Sequence, residues 1–179
     1  MSKPIFPQGT GTHVASIVLP NKHWRTFVHT ADNQIHQLII SGPDDLTYTD
    51  TLVDGPVPMV NSPVAAISSG NNVGHSYVFT SWGVHEHLQI RLFYFTADCK
   101  VQEMIWNNYD DPSPMIGVTL GDIVSGSHSL YAYVRKAGDT SGQIRVGYQS
   151  SSAPTTITES VYTPDSGWAT TRTYPSMMP

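Results

Sequence analysis

Short apolar runs separated by polar turn clusters recur along the whole chain, a pattern typical of β-strands. The runs are rich in β-branched and aromatic residues, and no window shows the 3.6-residue period of an amphipathic helix. Nine of them lie at 13–19, 24–29, 34–40, 77–82, 88–95, 101–106, 129–134, 143–149 and 157–162. The pattern predicts an all-β protein.

The nine runs form three sets of three, and polar residues recur at matched places in each set. The middle run of each set carries an arginine directly after an apolar residue: Arg25, Arg91 and Arg145. The third run carries a glutamine or glutamate twelve, twelve and fourteen residues further on: Gln37, Glu103 and Glu159. A repeat of this size is typical of the four-stranded blades of a β-propeller. We therefore predict one domain over 1–179, with approximate blades at 13–60, 77–120 and 129–174.

The hydrogen-bonding groups of the recurring pair suggest what it could bind. On neighbouring strands, an arginine and a glutamate at this spacing can share one face of the sheet. The guanidinium donates and the carboxylate accepts, so together they can hold the vicinal hydroxyls of a sugar. The alternative is a structural salt bridge across each hairpin. Since surface ion pairs add little stability, stability alone is a weak reason to repeat such a pair three times.

The amino-acid composition excludes several classes of function. Only 13% of the residues are charged and the net charge is −5, with nine basic residues spread along the chain. Nucleic-acid binders cluster Lys and Arg, so we exclude that class. A single cysteine, Cys99, excludes an internal disulfide, and no apolar stretch is long enough to span a membrane. Without a signal-like apolar run near residue 1, we expect a cytoplasmic protein, or one released without a classical signal peptide.

Two segments carry a resemblance. The strings IRLFYF and VQE (90–95 and 101–103), and IRVGYQ, ITE and GW (144–149, 157–159 and 167–168), resemble the repeat of fungal fucose-binding lectins of the Aleuria aurantia lectin type. The resemblance covers roughly 77–174 well and 13–40 loosely. Members of that family are six-bladed propellers that bind fucose in clefts between blades. One blade supplies Arg and Glu, and the next supplies an aromatic residue and a Trp.

Carried onto this chain, the resemblance implies three clefts of unequal quality. The second cleft, between the second and third blades, would combine Arg91 and Glu103 with Tyr162 and Trp168, which stacks on the sugar. The first cleft would combine the residues Arg25, Gln37, Trp106 and Tyr109. It departs from the family pattern because Gln37 is neutral and Asp111 stands near the place of the late Trp.

The third cleft has Arg145 and Glu159 but needs a following blade. If the first blade of a chain fills that place, Ile40 and Asp45 stand where the family has aromatic residues, so we expect this cleft to be degenerate. Three blades do not close a propeller, and open sheet edges are avoided. We therefore expect a homodimer that closes a six-bladed ring and binds fucose-containing glycans, with no cofactor.

Three other interpretations also fit the sequence. His85 and His87 flank Glu86 in a possible metal-ligand arrangement, although Arg91 and Leu92 stand where a cupin-type site would continue. Glu103 and Glu159 could form the carboxylate pair of a glycoside hydrolase. A structural or interaction β-protein without a sugar site would also fit the low charge.

Overall fold

The computed structural model describes residues 13–19, 23–42, 44–69, 89–108, 111, 113–137, 140–164 and 166–175. This part of the chain contains twelve strands and no helix, and hence no helix long and apolar enough to cross a membrane. The strands are β1 (Val14–Val18), β2 (Trp24–His29), β3 (Ile35–Ile40), β4 (Thr49–Leu52), β5 (Val64–Ser69), β6 (Gln89–Phe95), β7 (Lys100–Trp106), β8 (Met115–Asp122), β9 (Leu130–Ala137), β10 (Thr140–Tyr148), β11 (Thr158–Thr163) and β12 (Gly167–Thr173).

The twelve strands form three antiparallel sheets, each of four strands in sequence order. We call these sheets blade I (β1–β4), blade II (β5–β8) and blade III (β9–β12). The innermost strands β1, β5 and β9 lie next to one another, so the blades are arranged as successive sheets facing each other. The prediction of an all-β fold built from four-stranded blades is confirmed.

Two apolar cores hold the blades together, one at each joint. Strand β6 contributes to both, because alternate side chains point to opposite faces of a sheet. Its residues Ile90, Leu92 and Tyr94 pack in the core shared with blade I. Phe93 and Phe95 pack in the core shared with blade III. All seven side chains of β6 are buried, which explains why this run carries so little alternation between apolar and polar residues.

The start of blade II differs from the prediction. Its first strand is Val64–Ser69, which pairs antiparallel with β6 in the register Ala65↔Phe93 and Ile67↔Arg91. The sequence pattern predicts that this blade starts at residue 77, and the run at 77–82 lies outside the described residues. Residues 70–88 separate the paired strands by far more than an ordinary hairpin loop, so proximity in sequence could not reveal the pairing.

The connection from blade I to blade II is fixed by hydrogen bonds around Ser62. The ring of His29 donates from Nδ1 to the Ser62 carbonyl oxygen at 3.0 Å. The backbone N–H of Phe95 donates to Ser62 Oγ at 2.8 Å. Ser62 therefore links β2 of one blade to β6 of the next, and holds the two sheets in a defined relative position.

Candidate functional site

The arginine and its glutamate or glutamine occupy the same strand positions in all three blades. Each arginine lies directly opposite the residue two positions after that partner, in the pairs Arg25↔Ile39, Arg91↔Ile105 and Arg145↔Val161. The two polar residues are therefore diagonal neighbours on one sheet face. The longer interval in blade III is taken up by the turn between β10 and β11, and the geometry of the pair is preserved.

The second cleft, between blades II and III, contains a buried ion pair. Arg91 Nη1 donates to Glu103 Oε1 at 2.7 Å, and the two side chains are 3% and 1% exposed. Gln89 Oε1 accepts from Arg91 Nη2 at 2.8 Å and from Nε at 3.3 Å. The guanidinium is thus held by two acceptors on its own blade, which fixes its plane.

Blade III supplies the other wall of this cleft. The ring of Tyr162 lies against the Arg91 guanidinium, with 4.2 Å between Cζ and the ring centroid. Trp168 donates from its indole N–H to Glu103 Oε2 at 3.2 Å, and its ring meets Phe93 edge-on at 5.9 Å. The four residues that the resemblance assigns to this cleft therefore meet in one place, with their polar groups bonded to one another.

Two residues that support this cleft were not singled out from the sequence. Gln89 was missed, although the tripeptide Gln-Ile-Arg occurs at both 89–91 and 143–145 and could have revealed it. Gly117 was also missed. A Cβ atom at Gly117 would lie 2.6 Å from Glu103 Oε2, so glycine is required for β8 to pass this close to the carboxylate. The adjacent backbone N–H of Val118 donates to the same oxygen at 3.3 Å.

The first cleft, between blades I and II, has the same layout with different chemistry. Arg25, Gln37 and Trp106 are 2%, 1% and 1% exposed, and the rings of Phe27 and Trp106 lie 5.2 Å apart. Within the described part of the chain, the Gln37 amide nitrogen and oxygen and the Trp106 indole nitrogen have no hydrogen-bond partner. Tyr109, the fourth residue assigned to this cleft, lies outside the described residues.

The outer face of blade III carries the third pair. Arg145 Nη1 donates to Glu159 Oε2 at 2.9 Å, while Tyr131 and Tyr133 donate to Oε1 at 3.0 and 3.3 Å. Burial opposes ionisation of Glu159, yet the hydrogen bonds and the charge of Arg145 bring the pKa of this carboxyl below its ordinary value. The two tyrosine rings stack 6.1 Å apart and are 37% and 40% exposed.

These tyrosines reflect an exchange of aromatic residues between strands. In blade II, Phe93 on β6 lies opposite the small Ala65 on β5. In blade III the small residue is Gly147 on β10, opposite Tyr131 on β9. A Cβ atom at Gly147 would lie 2.0 Å from the Tyr131 ring, so the ring occupies the space beside the glycine. The exchange brings a phenol hydroxyl onto the carboxylate of the third pair.

The geometry does not favour the catalytic reading. Glu103 faces the side of blade III that carries Tyr162, and Glu159 lies on its opposite side, because positions 159 and 162 alternate along β11. The sheet therefore separates two carboxylates that a glycosidase needs on either side of one glycosidic bond. Among the described residues no cluster of three His, Cys, Asp or Glu could hold a metal, and the segment His85–His87 lies outside them.

A separate cavity of about 360 Å³ lies by the turn between β2 and β3. Asp32 and Asp54 stand on its polar side, and Ile35 and Tyr94 are among its apolar lining. Arg25 is near the opposite end of β2, so this cavity is distinct from the arginine-bearing part of the first cleft. No motif in the sequence predicts this cavity.

Comparisons with known proteins agree with the architecture. No family model and no curated protein sequence matches the chain. Solved structures do match, and they show that the chain shares its fold with lectins, among them the fucose-specific lectin of Aleuria aurantia.

Three of these structures are representative. A variant of the Aleuria aurantia lectin, in complex with Fucα1-6GlcNAc, has a TM-score of 0.69 at 18% identity over 99% of this chain. AofleA from Arthrobotrys oligospora has a TM-score of 0.66 at 15% identity over 91% of this chain. SapL1 lectin, in complex with α-methyl fucoside, has a TM-score of 0.62 at 20% identity over 91%.

The present chain covers only part of each of these lectins. It spans 52% of the Aleuria aurantia lectin chain, 41% of AofleA and 48% of SapL1. The chain therefore has the fold of about half of such a propeller, which is consistent with three blades where that family has six.

Proposed function

We propose that this chain is a non-catalytic lectin that binds fucosylated glycans, with the second cleft as its principal site. The observation that carries the proposal is the meeting of Arg91 and Glu103 from blade II with Tyr162 and Trp168 from blade III. Structures with the same fold include lectins solved with fucosides. A buried donor–acceptor pair beside an aromatic wall is the usual chemistry of a small, selective ligand site.

Each group has a defined role in this proposal. Arg91 donates to ring hydroxyls and Glu103 accepts from them, so a vicinal pair of hydroxyls is held from both sides. The indole of Trp168 covers the apolar C–H face of the sugar. Tyr162 is already in contact with the guanidinium and provides an apolar surface for the fucose methyl group.

Binding requires one exchange of hydrogen bonds. Trp168 donates to Glu103 Oε2 without sugar, and this oxygen is the acceptor that a sugar hydroxyl would use. A fucose hydroxyl therefore replaces the indole N–H, and Trp168 turns towards the sugar ring. Because one hydrogen bond replaces another, the exchange costs little in net hydrogen-bond energy.

The first cleft is proposed as a second, weaker site. The buried amide of Gln37 offers both an acceptor and a donor, and Trp106 offers a second donor. Sugar hydroxyls, which also donate and accept, match these groups. Because the amide is neutral, its hydrogen bonds are weaker than those of the carboxylate in the second cleft.

We further propose that two copies of the chain associate as a homodimer. Several sites on one particle would raise the avidity for a glycan-coated surface well above the affinity of one site.

The test is a titration of the protein with α-methyl-L-fucoside, with α-methyl-galactoside as the comparison sugar, together with a glycan array. We expect binding of the fucoside, retention of fucosylated glycans, and loss of binding in the second cleft, with weaker glycan retention, when Trp168 is replaced by Ala. Retention of no glycan by the folded parent would refute the lectin proposal and favour a structural or interaction protein. Hydrolysis of a fluorogenic glycoside would favour an enzyme.

A further inference from the structure

Two sheet faces have no neighbouring blade among the described residues, and they differ in chemistry. One is the outer face of blade I, formed by alternate residues of β1–β4. The other is the outer face of blade III, which carries Arg145 and Glu159. Each of these faces resembles one of the two kinds of sheet face that pack together in the joints between blades.

The joints within the chain follow one rule. The face of blade I that carries Arg25 packs on an apolar face of blade II, which includes Ile90 and Leu92. The face of blade II that carries Arg91 packs on an apolar face of blade III, which includes Ile144 and Val146. An arginine-bearing face is therefore covered by an apolar face each time, and one face of each kind is left over.

The leftover face of blade I carries several exposed apolar side chains. Four of its large apolar side chains, on β1, β2 and β4, have exposures of 38%, 55%, 42% and 49%: Val14, Val18, Trp24 and Leu52. Ile40 and Leu38 lie between them on β3, opposite Trp24 and Thr26. Four polar residues share this face and are paired with one another, Ser16 with Thr26 and His36 with Asp50. Exposed apolar side chains grouped on one face are typical of an interaction site.

Trp24 lies on this face, at a strand position where the other two blades have an isoleucine. In blades II and III, an isoleucine on the second strand lies opposite the aromatic residue of the cleft, in the pairs Ile90↔Trp106 and Ile144↔Tyr162. In blade I the same pair is reversed, with Trp24 on the second strand opposite Ile40 on the third. The aromatic ring is therefore present in blade I, one strand away from where the family pattern places it.

We propose that a second copy of this chain covers the outer face of blade I with the outer face of its blade III, and that Trp24 of one copy completes the third cleft against Arg145 and Glu159 of the other. Two-fold symmetry then produces two such joints and one closed ring of six blades. The third cleft is a working site in this arrangement, whereas Ile40 and Asp45 alone suggested a degenerate one. Its ligand, a fucoside, rests on the function proposed above.

The second copy is the occupant that the exposed groups specify. Ile17 lies directly opposite Arg25 in blade I, and Ile67 lies directly opposite Arg91 in blade II. Both isoleucines are buried in the joints between blades. Tyr133 holds the same position in blade III, opposite Arg145, and is 40% exposed. A joint of the same kind would cover Tyr133 and Tyr131 with the apolar side chains of the partner's blade I, and would leave Trp24 beside the carboxylate pair.

The association is tested by sedimentation velocity at micromolar concentration. We expect a dimer of two 19.6 kDa chains for the parent. Val18→Glu should raise the dimer Kd at least about 100-fold, because symmetry places the unpaired charge in both joints. The matched control is Val60→Glu: Val60 is 70% exposed in the connection before blade II, so this variant should remain a dimer. A monomeric parent, or equal weakening by both changes, would overturn the proposed association.

The site is tested by the number of α-methyl-L-fucoside molecules bound per chain. Trp24→Ala should remove one bound fucoside per chain and leave the second cleft occupied, and the exchange W24I/I40W should restore it. An unchanged stoichiometry in Trp24→Ala would refute the role of Trp24. If the dimeric parent binds no fucoside at all, the proposed function fails while the association, measured without sugar, stands.

Discussion

The first and second clefts share one strand register and differ at one decisive residue, Gln37 in the first and Glu103 in the second. Glu103 accepts hydrogen bonds from Arg91, from Trp168 and from the backbone of Val118. The Gln37 amide has no hydrogen-bond partner in the described part of the chain, and the neighbouring indole N–H of Trp106 has none there either.

This difference separates two contributions to a repeated site. The strand register places the polar groups, so both clefts gather an arginine, a partner residue and an aromatic wall. The charge of the partner residue then decides how these groups are satisfied. The carboxylate accepts hydrogen bonds from donors on two blades, so the polar groups of the second cleft are bonded to one another. The amide leaves buried polar groups of the first cleft available to a ligand.

The largest expected effect comes from breaking the charged pair of the second cleft. Arg91→Ala leaves Glu103 buried without its cation, so we expect a loss of about 3–5 kcal/mol in the free energy of unfolding, with loss of fucoside binding in the second cleft. Urea denaturation measures the first and titration the second. Lys100→Ala breaks an ion pair with Asp98 whose side chains are 44% and 62% exposed, and because exposed ion pairs contribute little it should change stability far less.

A second variant keeps this prediction testable if Arg91→Ala does not fold. Arg91→Lys retains the positive charge but loses the planar fork that binds Glu103 and Gln89 together. It should fold and bind the fucoside weakly. Parent-like binding by Arg91→Lys would contradict the role assigned to the guanidinium.

An exchange of the deciding residue should convert one cleft into the other. Glu103→Gln gives the second cleft the arginine–glutamine pair of the first. We expect a loss of about 1.5–3 kcal/mol in the free energy of unfolding, because the charge-assisted hydrogen bonds to Glu103 are weakened. The reciprocal change, Gln37→Glu, should raise fucoside affinity in the first cleft. Equal affinities in the parent and both variants, measured by titration calorimetry, would show that the charge at this position decides nothing.

A smaller effect is expected from the indole donor. Trp168→Phe keeps an aromatic ring against Phe93 and removes the N–H that reaches Glu103, which should cost about 1 kcal/mol of stability. Fucoside addition should change tryptophan fluorescence in the parent more than in this variant. An identical fluorescence response in the two proteins would mean that Trp168 does not turn on binding.

The smallest effect appears only in acid and concerns the third pair. Because the pKa of Glu159 is lowered in the folded chain, its contribution to stability is present above the ordinary value of 4.5 and is lost as the pH falls through the lower folded value. Replacement by Gln should therefore flatten the fall in stability below about pH 4.5, measured by denaturation across pH. An unchanged acid slope in Glu159→Gln would contradict this assignment.

Much of the fold could be predicted because its buried strands have strong signals. The second and third strands of every blade are mostly buried or half-buried, and their aromatic and β-branched runs identified them. The outer strand β8 was not among the predicted runs, because most of its side chains are exposed and it shows no regular apolar alternation. The run at 64–67 could be recognised as a possible strand, but it could not be assigned to blade II because it is far in sequence from its partner β6.

Site residues could be predicted where they lie at a fixed interval in the sequence. They could not be predicted where two residues are exchanged between neighbouring strands. The spacing from Arg91 to Glu103 predicted a pair on one face, and the resemblance supplied Tyr162 and Trp168 from the next blade. The pairs Gly147–Tyr131 and Trp24–Ile40 could not be predicted, because a residue exchanged across two strands leaves the apolar pattern of each strand unchanged. Cross-strand partners become visible only when the register is known.

The central claim is most directly tested by a crystal structure of the protein with α-methyl-L-fucoside. The account predicts a sugar between blades II and III, with its hydroxyls on Arg91 and Glu103 and with the Trp168 indole moved from the carboxylate to the sugar ring. A second cleft that stays closed at saturating fucoside, with Trp168 still bonded to Glu103, would contradict it.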